Sequence, residues 1–177
     1  RRALDAAETA IRRRMPSYIL GEQGVGKLHI ARAIAERLSP DVTVFDFRRG
    51  TDAEATVENL DRHLASGGAV ILHHIERAPE AFRSGICDLL AILEQPKLIV
   101  TANAINDDLL PMIAPLRGIE INVPPLRSRR EDIVVLAEEF ATEAMGRPTR
   151  LSPKLRDALV AADWSGNVAQ LRELLRS

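Results

Sequence analysis

Residues Gly21-Glu22-Gln23-Gly24-Val25-Gly26-Lys27 carry glycines and a lysine at spacings suited to holding an anion. Glycine lets the backbone curl until successive N–H groups point inward at one charge. A helix opening directly after the loop adds the partial positive charge of its first turn. Lys27 then supplies a point charge for the β- and γ-phosphates of a nucleotide. The G-x-x-x-x-G-K pattern normally closes on Ser or Thr, whose hydroxyl holds magnesium. Leu28 stands in that place and offers a hard cation no oxygen.

Cutting the phosphate would require a second strand ending in carboxylates, one to hold magnesium and one to polarise the attacking water. The matching strand text is GGAVILHHIERAP, residues 67–79, and its tip carries His73 and His74. Neutral imidazole is a poor magnesium ligand and imidazolium repels the ion. Neighbouring residues of a strand face opposite sides, so the pair is not expected to share a transition metal. Glu76 reads as a surface carboxylate past the strand end, and Asp46 and Asp163 carry no role legible in the sequence. No catalytic residue and no metal ligand is therefore assigned.

The elements that must position these groups alternate. Strand text rich in Val and Ile lies at 17–20, 42–47, 69–73, 97–102 and 118–123, with amphipathic helical text at 27–38, 52–65 and 80–94 between. Such alternation predicts βαβ units and an α/β fold with a parallel five-stranded sheet flanked by helices. After the PPL segment at 124–126 the text is helical throughout, at 129–145, 152–162 and 167–176. Ser152 and Pro153 suit an N-cap and first-turn pair. The expected division is an α/β nucleotide-binding-type domain at 1–146 and a small C-terminal helical lid at 147–177.

The 177 residues, 46% apolar and 28% charged, suffice for a substantial core. A net charge of -1 gives no overall pull toward nucleic acid or an anionic membrane. The single cysteine, Cys87, excludes an internal disulfide framework. No apolar run is long enough to span a bilayer as a helix. The chain opens and closes in helical text, which reads as a domain cut from a longer protein.

Longer motifs sharpen this reading. NVPPLRSRREDIVVLAEEF (122–140) resembles the L-P-P-L-R-x-R-x-E-D-I signature of the bacterial enhancer-binding AAA+ proteins, the sigma-54-dependent transcriptional activators. DWSGNVAQLREL (163–174) is similar to the W-P-G-N-V-R-E-L segment of their lid, with Trp164 in its core. LIVTAN (98–103) resembles their sensor strand and places its asparagine at Asn103, while GEQGVGKLHIARAIAERL resembles their phosphate loop and helix. The resemblance implies a P-loop AAA+ domain of a cytoplasmic transcription regulator. It also implies ATP or ADP as ligand at Gly21 to Leu28 and Asn103, with sensory and helix-turn-helix DNA-binding domains elsewhere in the full protein.

Departures from the family pattern fall on the chemistry. His73 and His74 replace its Asp-Glu pair; its two finger arginines fall on Leu109 and Pro115; its lid arginine falls on Ala169. The 45 residues between Lys27 and His73 leave no room for the G-A-F-T-G-A loop that touches the sigma factor. The resulting expectation is a degenerate regulator domain with weak nucleotide binding, no evident magnesium ligand and no effective hydrolysis. Its partners would be the transcription machinery or regulatory domains of its own chain. Two alternatives stand beside it: an active ATPase with Glu76, Arg117 or Arg172 as relocated groups, and an inactive structural subunit of an AAA+ assembly.

Overall fold

The computed structural model describes residues 2–49, 53–93 and 96–176. They divide into two compact units, one formed by Arg1–Leu20 with Lys27–Asn122, the other by Gly21–Gly26 with Val123–Ser177.

In the first unit, the described residues form a parallel sheet of β1 (Ser17–Leu20), β2 (Val42–Asp46), β3 (Ala69–His73), β4 (Leu98–Ala102) and β5 (Ile119–Asn122), ordered β2-β3-β4-β1-β5. Every residue of β3 and β4 is buried, which explains their unbroken apolar text: an inner parallel strand is covered on both faces. The edge strands β2 and β5 are only partly covered. Helices α1 (Arg2–Arg13), α2 (Lys27–Leu38), α3 (Ala53–Ala65), α4 (Glu80–Ile92) and the single turn α5 (Leu110–Ile113) lie between and before the strands. Leu60, Phe82, Ile86, Leu109 and Met112 pack with Val70, Leu72, Val100 and Ala102, alternate residues that share one sheet face. Asp46 is paired with His73, and His73 with Thr101, so these three side chains form one row on the opposite face, at the C-terminal ends of β2, β3 and β4.

The strand and helix expectations hold to within one or two residues where the structure describes them; the predicted helix limits at 52 and 94 lie outside the described residues. The turn α5 has no counterpart in the sequence reading, because four residues are too few to show a helical period.

The second unit is built on α6 (Arg130–Met145), α7 (Pro153–Ala161) and α8 (Asn167–Leu174) around Leu126, Ile133, Ala137, Leu159, Trp164 and Leu171. Gly146 closes α6 in the left-handed region, φ 64°. Ser152 caps α7 by accepting the Leu155 N–H, with Pro153 in the first turn, as its residue types predict. Helix α6 shares the core of α7 and α8, and the sequence-based limit at 146/147 falls between α6 and α7 inside this unit. No described helix is long and apolar enough to cross a membrane.

Trp164 is 3% exposed and its indole N–H donates to the Leu159 carbonyl at 2.9 Å. Trp164→Phe keeps most of the ring volume but strands that carbonyl, at an expected cost of about 1–3 kcal/mol. Trp164→Ala should cost about 3–5 kcal/mol through the cavity it leaves. Urea melts followed by circular dichroism check both, because the only tryptophan is lost as a fluorescent probe.

Candidate functional site

The loop Gly21–Gly26 is held by residues of its own unit. Gln23, Gly24 and Val25 each turn their carbonyl toward a donor: the Asn167 amide at 3.0 Å, the Ala169 backbone N–H at 3.1 Å and the Arg129 guanidinium at 2.9 Å. Because a peptide is planar and trans, the N–H groups of Gly24, Val25 and Gly26 point the other way. Gly24 is required twice over: its φ is +79°, and a Cβ there would stand 2.3 Å from the Gly166 carbonyl oxygen.

Asn167 is fully buried and itself left-handed, φ 55°. Its carbonyl accepts the Leu126 N–H at 2.8 Å, and its amide also reaches Glu22 at 3.2 Å. Glu22 pairs with the Arg127 guanidinium, 2.8 Å on one arm, and the hydrogen bonds from Arg127 and Asn167 hold its carboxyl down to about 2. The sequence reading named the G-N-V segment only as a resemblance. Asparagine after glycine ahead of a helix was the signal for a left-handed residue at that position.

The other groups belong to the first unit. Lys27 opens α2, is 4% exposed, and donates to the Asn103 carbonyl oxygen at 2.9 Å. Burial lowers its pKa. Asn103 follows β4 and is exposed, and Leu28 sits half-buried in the first turn of α2.

At the end of β3 the geometry departs from the strand argument. His74 is not in extended conformation: its φ of 59° and ψ of 49° are left-handed. The reversal brings the two imidazoles onto one side, with ring centroids 4.1 Å apart. The expectation that adjacent residues face apart fails because the strand ends at His73. Thr101 fixes the turn: its hydroxyl accepts the His74 backbone N–H at 3.3 Å and lies 2.6 Å from His73 Nδ1. Both imidazoles are 6% exposed. Burial, then the neighbouring His74, pushes the His73 pKa down to about 4, so that ring is neutral near pH 7. His74 Nδ1 lies 3.3 Å from Glu76 Oε1, so Glu76 is drawn in beside the imidazoles and is not the surface carboxylate the sequence suggested. Asp46, which had no legible role, offers a carboxylate oxygen to the same cluster.

Magnesium does not fit this set. It takes oxygen ligands in near-ideal octahedra, and the strand end presents two imidazoles, with the Asp46 carboxylate bridged by Arg48 at 2.8 Å and the Glu76 carboxylate facing His74. Of the relocated arginines, Arg172 is committed to Glu143 at 2.7 Å, beside the Phe140 ring. Arg117 is exposed and precedes β5, at the sheet edge opposite the strand C-termini. Leu109, where a finger arginine was expected, is fully buried core.

Comparison with known proteins places the chain. The sigma-54 interaction domain family matches residues 2–125, and the AAA+ ATPase lid domain matches residues 127–177. The alginate biosynthesis regulator AlgB of Pseudomonas aeruginosa is 31% identical over an alignment covering 89% of this chain and 44% of that protein. The Nif-specific regulatory protein of Herbaspirillum seropedicae is 27% identical, covering 89% of this chain and 37% of its own length. The chain thus spans less than half the length of these relatives. Among solved structures, NtrX of Brucella abortus in complex with ADP superposes with a TM-score of 0.74 at 22% identity, covering 98% of this chain and 49% of that one. The replication initiator DnaA bound to AMPPCP and single-stranded DNA gives 0.70 at 15% identity, covering 98% and 59%. Those two likenesses speak to the fold, which is AAA+. With the family match covering most of its length, this chain belongs to the sigma-54 interaction domain family of transcriptional regulators.

Proposed function

We propose that this domain is the central AAA+ module of a cytoplasmic transcription regulator that holds ATP or ADP weakly by its phosphates and does not hydrolyse it effectively. The observation that supports the reading is the strand end, where two buried imidazoles, His73 and His74, stand at the positions that the motif resemblance assigns to a magnesium-holding and a water-polarising carboxylate. The backbone N–H groups of the loop and the Lys27 ammonium would take the phosphates, with Asn103 steadying the lysine. A bound nucleotide supplies a triphosphate for transfer, but these residues only bind and orient it. Loss of a finger arginine alone removes about 10³–10⁵ in rate where such groups act, and here the carboxylates are replaced as well. The module would then work through nucleotide-biased contacts with transcription machinery or with other domains of its protein, including a DNA-binding one.

Steady-state assays should find negligible magnesium-dependent ATP turnover, and His73→Asp with His74→Glu should not restore it. Calorimetry should give weak binding with little preference for ATP over ADP and little response to magnesium, abolished by Lys27→Ala. Turnover at the rate of intact family members, or tight magnesium-dependent binding, would overturn the reading.

Because Leu109 and Pro115 stand where finger arginines would reach a neighbour, ATP should not drive ring assembly. Sedimentation velocity with and without ATP tests this, and a nucleotide-dependent hexamer would refute it.

The loop's own anchoring has a pH signature. The Glu22 pKa is lowered on folding, from 4.5 to about 2, so the unfolded chain binds the proton first as pH falls. Its contribution is complete above about pH 4.5 and is lost as pH drops toward 2. Melting temperature against pH should therefore show a shallower acid limb in Glu22→Gln than in the parent.

A further inference from the structure

We propose that Asp46, His73 and His74 form a binding site for one divalent transition ion of the zinc class, at the strand end where the family keeps magnesium. One donor atom from each residue lies within 4.8 Å of the other two. Two structural facts bring them there. The parallel register sets Asp46 and His73 side by side on one face, and the left-handed turn swings His74 onto the same side. A zinc ion bound through nitrogen and oxygen at about 2.0–2.2 Å needs donors about 3.3 Å apart, so the three side chains must draw together to hold it. A non-glycine residue in the left-handed region is uncommon, and such backbone persists where its surroundings over-determine it.

The groups behind the imidazoles match a metal site. Glu76 faces His74 Nδ1 at 3.3 Å. An ionised carboxylate only accepts, so this nitrogen carries the proton and Nε2 keeps its lone pair for an ion. The Thr101 hydroxyl serves His73 Nδ1 at 2.6 Å and suits either tautomer, so ion binding selects the one with Nε2 open. Two imidazoles and a carboxylate are a borderline donor set, which favours zinc, cobalt or nickel over magnesium. Opposing the ion are Arg48, which bridges Asp46, and Lys27. The Arg48 guanidinium contacts both Asp46 oxygens and is itself about half exposed, so it must release the carboxylate to the ion and turn into water. The inference goes beyond the nucleotide reading and is tested without nucleotide.

The test titrates the metal-stripped domain with Co²⁺ alone, follows the visible absorption of the ion, and then displaces it with Zn²⁺. The expected result is one ion per chain, insensitive to millimolar magnesium, with zinc displacing cobalt. His74→Asn, which tolerates the left-handed backbone, and Asp46→Asn should each weaken binding more than Glu76→Gln, whose loss should be about 10-fold. His29→Gln and His63→Gln, at the remaining histidines, should bind as the parent does. Circular dichroism melts establish that each variant is folded. Should the ligand variants fail to fold, proton NMR of the cobalt-loaded parent decides, because two ligating imidazoles give two shifted ring N–H signals. No cobalt uptake, undiminished uptake in folded His74→Asn and Asp46→Asn, or a loaded parent without those shifted signals would overturn the proposal.

Discussion

Parallel pairing is the constraint on which the first unit depends. All the described strands run the same way, so their C-terminal ends emerge along one edge of the sheet. The inner strands are sealed on both faces by apolar contact, and no side chain within them is free for polar chemistry without a desolvation cost. Chemistry is therefore confined to residues at or just past the strand ends. There lie Asp46, His73, Thr101 and Asn103, with Lys27 reaching back from the first turn of α2 to Asn103.

At that edge Thr101 has a role out of proportion to its size. It is fully buried in β4, and its hydroxyl meets both the His74 backbone and the His73 ring. Those contacts define a left-handed residue where an extended one was expected, and that one dihedral change converts two imidazoles facing apart into a facing pair. The two imidazoles also set the character of the edge, because their nitrogen donors suit borderline ions better than a hard, octahedral one.

In the second unit the phosphate loop is shaped by what holds its carbonyls. The Glu22–Arg127 pair is about half exposed on both sides, and water screens pairs of that kind, so they contribute little. Asn167, fully buried with bonds to Leu126, Gln23 and Glu22, outweighs it, because leaving the buried Leu126 N–H unsatisfied costs about 1–3 kcal/mol. Ala169 adds a backbone N–H to the Gly24 carbonyl.

The sequence by itself determined the strands, the helices, the glycine-rich loop between β1 and α2, and the family. These rest on local periodicity, on glycine and proline chemistry, and on motifs of contiguous residues, none of which needs a distant partner. Only the tertiary structure decided what surrounds the residues at the strand end and the loop. That His74 turns left-handed depends on a hydroxyl 27 residues away at Thr101, and Asp46 joins the imidazoles through strand register. Glu76 is drawn inward by His74, and Asn167 finds its partners more than 140 positions back in the chain at Gln23 and Glu22. Each is a contact between residues brought together by pairing or burial, and no local pattern records such a meeting.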